Sequence, residues 1–341
     1  MRAAVYYNNR DVRVEEVPFP KIKEGEVLVK IEASGICGSD VMEWYRIKKA
    51  PLVLGHEIAG IITEVGAGVT KFKAGDRVTV AHHVPCNTCR YCLSGNHSVC
   101  DTLRTTSFDP GGFCEYVRVP AINVDRGVFL LPDSMSFEEG TFAEPLGCVV
   151  RGFRTARMEA GKNVVVIGSG MSGLLHIKLA KALGAGKIIA TDITDFRLDA
   201  AVKYGADLAL KADTDVPAAV KHALGGRLAD IVVICVANDK AIEQGLKSLD
   251  KGGTILFFAP KEPGATYPMP LFDLWRDNIT IVNSYASPPF DTHIAIDLIA
   301  NNRVNVADMV SHRLGLGQAQ EGFTLVSEAK QSIKVILEPQ R

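Results

Sequence analysis

The hydrophobic and polar positions in the first third of the chain follow the pattern of short β-strands. Three stretches carry it, EVLVKIEASG at 26–35, EIAGIITEVGAGV at 57–69 and KAGDRVTV at 73–80. β-Branched residues recur in each stretch, and glycine-containing turns lie between them. The pattern predicts an irregular all-β body in this part of the chain.

A second pattern begins near Gly161. Short apolar runs alternate there with helical sequence, and the runs are NVVVIGSG, KIIATD, ADIVVICV, GGTILFFA and ITIVNS. Such runs predict a parallel sheet whose two faces are covered by helices, so the fold class is α/β. The last fifty residues read as helix, strand, helix, strand, and this pattern fits either body.

Composition narrows the class of protein. The 341 residues are 47% hydrophobic, enough for about two domains with full cores. The 38 basic and 39 acidic residues give a net charge of −1, which argues against a nucleic-acid partner. No signal-peptide pattern or membrane-length apolar run is found, so we expect no membrane partner and a cytoplasmic location. Cysteines clustered in a reducing compartment are more often metal ligands than disulfides.

A glycine-rich turn predicts a dinucleotide site. Gly168, Gly170 and Gly173 have G-x-G-x-x-G spacing between a predicted strand and a predicted helix, and the loop is completed by Ser169, Met171 and Ser172. The alternative is an ordinary strand-to-helix turn. Asp192 ends the next strand, where a carboxylate accepts hydrogen bonds from ribose hydroxyls and repels a 2′-phosphate, so NAD is favoured over NADP. Arg197 could instead pair with that phosphate or stack on adenine.

Four cysteines predict a closed metal site. Cys86, Cys89, Cys92 and Cys100 have the spacing C-x2-C-x2-C-x7-C. Four thiolates complete a tetrahedral zinc shell and leave no position for substrate, so this site is expected to be structural. An iron–sulfur cluster is the alternative, but redox-neutral zinc suits a lobe of this size better.

A second set of residues predicts a catalytic metal. Cys37 in GICGSD and the pair His56 and Glu57 in LGHEIAG supply a thiolate, an imidazole and a carboxylate, which leave a fourth zinc position for substrate. Asp40 could orient the histidine. Glu144 precedes a proline, so we expect it on a loop at the junction of the two bodies.

These motifs occur in an order that resembles the zinc-containing medium-chain dehydrogenases, the family of alcohol, sorbitol and threonine dehydrogenases. The likeness covers essentially the whole chain: GICGSD, LGHEIAGIITEVGAGV, GDRVTV, the four-cysteine lobe, GGFCEYVRVP, EPLGC, GSGMSG and SHRLGLGQAQEGFTLV. The resemblance implies a GroES-like catalytic domain at 1–147 and 288–341, with a structural-zinc lobe at about 85–101. It implies a Rossmann domain, a doubly wound parallel sheet, at 148–287.

The resemblance also implies residue roles. GHE and EPL are similar to the polyol and threonine dehydrogenase branch, which makes Cys37, His56 and Glu57 the catalytic zinc ligands and places Glu144 in the first or second shell. Ser39 matches the hydroxyl of the proton relay. Met42 stands where relatives often carry a relay histidine, so the proton route beyond Ser39 departs from the family. Cys148 is a rival ligand by position, but we interpret it as a buried thiol, as we do Cys114 and Cys235.

The expected function is reversible hydride transfer between NAD and a secondary alcohol of a polyol, sugar-like or hydroxy-amino compound. Ser284 and Tyr285 are expected near the nicotinamide or at a subunit contact, and Trp44, Tyr45 and Arg46 in a partly polar pocket wall. Relatives are commonly homotetramers or homodimers. The alternatives are a threonine or simple-alcohol dehydrogenase, a zinc-free reductase of the same superfamily, an NAD-sensing binding protein and a zinc-dependent nucleic-acid ribbon.

Overall fold

The computed structural model describes residues 1–341, and the chain divides into two compact units. The first unit comprises Met1–Gly147 and Ala286–Arg341, and the second comprises Cys148–Tyr285. The C-terminal tail, which the hydrophobic pattern alone leaves unassigned, lies in the first unit.

The strands number sixteen and most are short. They are β1 Arg2–Asn8, β2 Asp11–Glu16, β3 Val27–Ile36, β4 Leu52–Val53, β5 Glu57–Val65, β6 Arg77–Ala81, β7 Tyr116–Val119, β8 Val128–Leu130, β9 Val164–Ile167, β10 Ile188–Asp192, β11 Leu208–Lys211, β12 Ala229–Ile234, β13 Leu249–Phe257, β14 Thr280–Asn283, β15 Val310–Gly315 and β16 Lys334–Glu338.

The α-helices number thirteen. They are α1 Glu43–Arg46, α2 Arg90–Leu93, α3 Asp101–Thr105, α4 Ala121–Gly127, α5 Phe137–Gly140, α6 Ala143–Thr155, α7 Met171–Ala182, α8 Asp195–Tyr204, α9 Val216–Ala223, α10 Asp239–Lys247, α11 Leu271–Arg276, α12 Pro289–Ala300 and α13 Ala319–Glu328. None of them combines the length and the apolar character needed to cross a bilayer.

The first unit is built around β3. This strand pairs antiparallel with β5, β7 and β16, and the larger sheet runs β15-β16-β3-β5-β6-β8. Alternate β3 residues such as Val27, Val29 and Ile31 are fully buried and pack with Ile58 and Ile62 of β5, as the period of two in a strand requires. A separate sheet has the order β2-β1-β4. Pairing of β16 with β3 joins the tail to the N-terminal strands.

The second unit contains a six-stranded sheet of order β11-β10-β9-β12-β13-β14, with parallel pairing throughout. All four residues of β9 are buried, because helices cover both faces of such a sheet. The strand order reverses between β9 and β12. In a doubly wound sheet a dinucleotide binds outside the carboxyl ends of the strands at this reversal.

One expectation about local structure is wrong. Glu144 was expected on a loop because Pro145 follows it, but both residues lie in the first turn of α6. Proline is tolerated there because the first backbone N–H groups of a helix have no acceptor within the helix. The helix therefore begins before the proline and continues past it.

Candidate metal centres and dinucleotide site

Strand pairing brings the three predicted metal ligands together. Cys37 follows β3, Glu57 opens β5, and Gly35 of β3 is paired with Glu57 in the ladder. One ligand atom from each of Cys37, His56 and Glu57 lies within 4.8 Å of the others. The group combines sulfur, nitrogen and oxygen donors, as zinc sites with an open position do.

Asp40 orients the imidazole of His56. Its Oδ1 lies 3.3 Å from His56 Nδ1, and its Oδ2 accepts a 3.0 Å hydrogen bond from the Cys37 amide. Burial opposes charge on the imidazole, but the carboxylate of Asp40, followed by the side chain of Cys37, raises the pKa of His56 well above its ordinary value. Because Nδ1 faces Asp40, the other ring nitrogen, Nε2, is the one available to a metal.

Glu57 is fully buried, and only one of its two carboxylate oxygens has a partner in the protein. Its Oε2 forms an ion pair with Lys334 of β16, and neither side chain is exposed. Its Oε1 is buried without a hydrogen-bond partner. Gly35 leaves room for the pair, since a Cβ at this position would lie 2.5 Å from Glu57 Oε2 and 2.6 Å from Lys334 Nζ. An orphaned carboxylate oxygen beside a thiol and an imidazole fits a bound cation.

Ser39 and Arg46 lie next to this group. The Ser39 hydroxyl donates to Cys37 Sγ at 3.4 Å. Arg46 donates from Nε to the Ser39 carbonyl at 2.9 Å and from Nη2 to the Ser39 hydroxyl at 3.1 Å. Met42 is partly buried just before α1.

Two histidines that the motifs did not single out also lie here. His82 and His83 follow β6, and the ring centroids of His82 and His56 are 4.8 Å apart. Burial, followed by the charges of neighbouring cations, lowers the pKa of His82 well below its ordinary value and that of His83 to about 4. Both imidazoles are therefore neutral near pH 7. The sequence did contain a signal for them, because the His82-His83 pair directly follows a predicted strand and precedes the cysteine lobe.

The four-cysteine lobe is arranged as one cluster. Sulfur atoms of Cys86, Cys89, Cys92 and Cys100 lie within 4.8 Å of one another, and the Cys89–Cys92 and Cys86–Cys100 separations are 3.6 Å. None is in a disulfide. Hydrogen bonds from Thr88, first of all, and from the Cys89 amide lower the pKa of Cys86 to about 5. Four convergent sulfurs, one already favoured as thiolate, fit a tetrahedral metal shell.

The remaining candidates lie outside these two groups. Glu144 in α6 is not among the three clustered ligands. Cys148, in the same helix, is partly buried. Burial raises the pKa of the Cys114 thiol, which contacts the Gly111 carbonyl oxygen at 3.0 Å, and raises that of Cys235 to about 12.

The glycine loop has the geometry its spacing predicts. Gly168 follows β9 with φ of +93°, a conformation that favours glycine. A Cβ on Gly173 would lie 2.0 Å from the Gly168 carbonyl oxygen, so the third glycine permits close contact of helix and strand. Gly170 caps α7, and a Cβ there would meet nothing closer than Arg197 Nη1 at 3.8 Å. Open space at a helix N-terminus fits a pyrophosphate. Ser169, Met171 and Ser172 complete the loop.

Asp192 ends β10 and is tied to that loop. Its Oδ2 accepts from the Ser169 amide at 2.9 Å, and its Oδ1 accepts from the amides of Ile193 and Thr194. Arg197 Nη1 lies 3.9 Å from Oδ2. Ser284 and Tyr285 follow β14 at the carboxyl end of the sheet, with the Ser284 hydroxyl buried and unpartnered and Tyr285 exposed.

The fold and the two metal groups together define the class of zinc-dependent dehydrogenases. The features that do so are a Rossmann sheet, an irregular β body, a clustered Cys–His–Glu group and a four-cysteine lobe. Comparison with known proteins agrees: the description "Alcohol dehydrogenase GroES-like domain" matches residues 23–133, and "Zinc-binding dehydrogenase" matches residues 173–301. The chain belongs to this family of zinc-binding alcohol dehydrogenases.

Individual relatives align over nearly full length. Sorbitol dehydrogenase of Gallus gallus is 32% identical over 98% of this chain and 95% of its own. L-threonine 3-dehydrogenase of Bacillus velezensis is 35% identical over 99% of each chain. A zinc-binding dehydrogenase of Sinorhizobium meliloti, solved bound to NADP, superposes with a TM-score of 0.89, at 28% identity over 99% of each chain.

Family membership confirms four predictions from the sequence. The fold is a GroES-like domain with a Rossmann domain, the protein is an oxidoreductase acting on CH–OH groups, and zinc and NAD are its cofactors. The roles of individual residues stay predictions.

Proposed function

We propose that the protein oxidises a secondary alcohol of a polyol, sugar-like or hydroxy-amino compound with NAD, and that Cys37, His56 and Glu57 hold its catalytic zinc. The observation that carries this proposal is the buried, unpartnered Oε1 of Glu57 beside the Cys37 thiol and the His56 ring. The names of the sorbitol and threonine dehydrogenase relatives support the substrate range.

Bound zinc supplies Lewis acidity that favours the alkoxide form of an alcohol, and bound NAD accepts the hydride. Asp40 holds the imidazole of His56 by its Nδ1, and Lys334 holds one oxygen of Glu57. Ser39, in contact with the Cys37 thiol, takes up the hydroxyl proton. Beyond it, Met42 has no group that binds a proton and Arg46 is permanently charged, so water or the nicotinamide ribose receives the proton from Ser39.

In the second unit, the loop from Gly168 to Gly173 binds the pyrophosphate and Asp192 binds the adenosine ribose. Ser284 and Tyr285 lie on the nicotinamide side. The four cysteines of the lobe hold a structural zinc, and Glu144 acts near the catalytic zinc without being a permanent ligand. The catalytic domain comprises 1–147 and 288–341, and the dinucleotide domain comprises 148–287.

The protein is further proposed to be a cytoplasmic homo-oligomer. β14 is an edge strand of the parallel sheet, and large apolar side chains are exposed on or near it: Ile281 at 41%, Phe272 at 64% and Trp275 at 79%. Exposed apolar groups beside an open strand edge favour a subunit contact. Light scattering that gives a monomer at working concentration would contradict this.

The test of the activity is a screen of polyols, inositols, threonine and simple alcohols with NAD, monitored as NADH absorbance, together with metal analysis. We expect about two zinc ions per chain and turnover that Cys37→Ala abolishes. Cys114→Ala, which removes a buried thiol outside both metal groups, is the matched control and should keep turnover. Zinc-free protein with full turnover would indicate a zinc-free reductase, and NAD binding without turnover on any alcohol would indicate a sensing protein.

A further inference from the structure

Arg46, a permanent positive charge next to the Cys–His–Glu group, shares its acidic partner with His56. Arg46 uses Nε and Nη2 to bind Ser39, and Nη2 also lies 3.4 Å from Asp40 Oδ1. Asp40 is the only acid that pairs with Arg46, and the same oxygen faces His56 Nδ1 at 3.3 Å. One carboxylate is therefore shared between a guanidinium and an imidazole.

The free part of the guanidinium is held in a defined orientation. Three contacts from Nε and Nη2 fix the plane of Arg46, and its Nη1 donors have no partner in the protein. The side chain is 15% exposed, and Nη1 is not a buried orphan. Through the Ser39 hydroxyl, which contacts both Arg46 and Cys37 Sγ, the guanidinium lies one side chain away from a predicted zinc ligand. The two N–H groups of Nη1 diverge from one nitrogen of a permanently charged, planar guanidinium, and each can donate to an oxyanion.

A second cation lies nearby. Tyr45 contacts both positive groups, with Arg46 Cζ 4.6 Å and Lys49 Nζ 5.9 Å from its ring centroid. Lys49 forms no ion pair, and its charge is close enough to contribute, after burial, His56 and Arg46, to the lowered pKa of His83. Glu43, the other acid of this segment, accepts a hydrogen bond from the Asn9 amide. The segment 43–49 therefore carries three cations, Arg46, Lys48 and Lys49, against the single carboxylate of Glu43, and of these cations Arg46 and Lys49 contact the Tyr45 ring.

We infer that Arg46 and Lys49 bind an anionic group of the substrate, so that the preferred alcohol carries a carboxylate or a phosphate in addition to the hydroxyl that is oxidised. Arg46 supplies the two free donors of Nη1 and Lys49 supplies a second, more mobile charge. This inference rests on the proposed dehydrogenase function and narrows its substrate class.

The first arm compares alcohols that differ in charge. D-Gluconate, D-galactonate and L-gulonate are assayed with NAD beside sorbitol, galactitol and sorbitol 6-phosphate. We expect kcat/KM for at least one anionic compound to exceed that of its uncharged counterpart by about tenfold or more, the effect of one charge-assisted hydrogen bond. A preferred sugar acid identifies carboxylate as the group, and a preferred phosphate ester identifies phosphate. Preference for the uncharged alditols overturns the inference.

The second arm uses variants. Lys49→Gln should lower the ratio of anionic to neutral kcat/KM by about fivefold or more, mainly through KM. Lys48→Gln removes the same charge one residue earlier, where no ring or charge contact to the site exists, and should leave the ratio unchanged. Equal effects of the two variants would mean a diffuse electrostatic field and overturn the assignment of Lys49. Arg46→Lys keeps the charge but loses the Nη1 donors that the contacts with Ser39 and Asp40 hold in place, and should also lower the ratio.

The third arm separates this inference from the proposed function. Calorimetric titration of the zinc-loaded enzyme with D-gluconate and with sorbitol 6-phosphate measures binding without turnover, and Lys49→Gln should raise the dissociation constant of the anion that binds by a similar factor. Turnover of neutral alcohols with no anion binding would overturn the inference and leave the dehydrogenase intact. Anion binding that Lys49→Gln weakens, without turnover of any alcohol, would support the anion site and overturn the proposed function.

Discussion

The carboxylate of Asp192 is engaged by the protein itself before any ribose is considered. It is 6% exposed, and backbone amides of Ser169, Ile193 and Thr194 donate to its two oxygens. The Thr194 hydroxyl also donates to Oδ1, whereas Oδ2 accepts a hydrogen bond only from the Ser169 amide and keeps a lone pair for a ribose hydroxyl. The residue therefore links the phosphate loop to the ribose pocket, and its replacement acts on both.

Asp192→Ala is expected to narrow the preference for NAD over NADP by about tenfold in kcat/KM, since like charges no longer meet at the 2′-phosphate. Affinity for both dinucleotides should fall as well, because the Ser169 amide loses its acceptor. Asp195→Ala, which removes an exposed acid three residues later, is the control and should leave the preference unchanged. An unaltered ratio in Asp192→Ala would show that this aspartate is not at the ribose.

The third glycine of the loop allows close packing within the protein, whereas the second leaves open space for the dinucleotide. Gly173→Ala places a methyl group 2.0 Å from the Gly168 carbonyl oxygen, so we expect a loss of about 1–3 kcal/mol in the free energy of unfolding. Gly170→Ala meets no protein atom closer than 3.8 Å, so it should fold normally but bind NAD more weakly. Thermal melting with fluorescence titration of NADH separates the two effects. Equal stability of the two variants would contradict the packing argument.

At the scale of elements, the pairing of β16 with β3 explains the state of Glu57. The partner Lys334 is 277 positions away along the chain, and only the sheet order brings it to β5. The sequence motif GHE predicts Glu57 as a ligand, but no local pattern predicts that a buried lysine holds one of its oxygens. No local sequence pattern predicts His82 or Arg46 at the site either. His82 is placed there by the end of β6, and Arg46 is placed there by the short helix α1.

Lys334→Met is expected to lower the free energy of unfolding of the metal-free protein by about 3–5 kcal/mol, because it leaves the Glu57 carboxylate buried and unpaired. The double variant Lys334→Met with Glu57→Gln should recover part of the loss, since no buried charge remains. Lys330→Met, at an exposed position, is the surface control. Denaturant titration measures all three, and a loss no larger than that of Lys330→Met would contradict a stabilising pair.

The cysteine lobe is a local element whose site the spacing alone predicted. Cys86→Ser is expected to reduce bound zinc from about two ions to one per chain and to lower the melting temperature or disrupt assembly. It should affect turnover per folded molecule less, because a closed shell leaves no position for substrate. A stable, correctly assembled variant without any turnover would assign the lobe to the chemistry instead.

For the whole molecule, the change from strand-rich to alternating sequence near Gly161 was enough to predict the α/β class and a parallel sheet. Periodicity could not assign the tail, because its helix and strand pattern fits either body. The pairing of β16 with β3 is non-local, and resemblance to the family supplied that information. Proline statistics failed at Glu144 because they describe a local preference that the start of α6 overrides.

The division into two units predicts that metal and cofactor binding can be separated. Cys37 and His56 lie in the first unit, whereas the glycine loop and Asp192 lie in the second, which has its own parallel sheet and core. Cys37→Ala or His56→Ala should therefore abolish turnover, because a zinc ligand is lost, and leave the dissociation constant of NADH within about twofold of wild type, a difference below 0.5 kcal/mol. Asp192→Ala should show the reverse pattern, with weaker NADH binding and unchanged zinc content. Fluorescence titration and metal analysis on the same preparations measure both quantities, and loss of NADH affinity in parallel with zinc would show that the dinucleotide site depends on the metal centre.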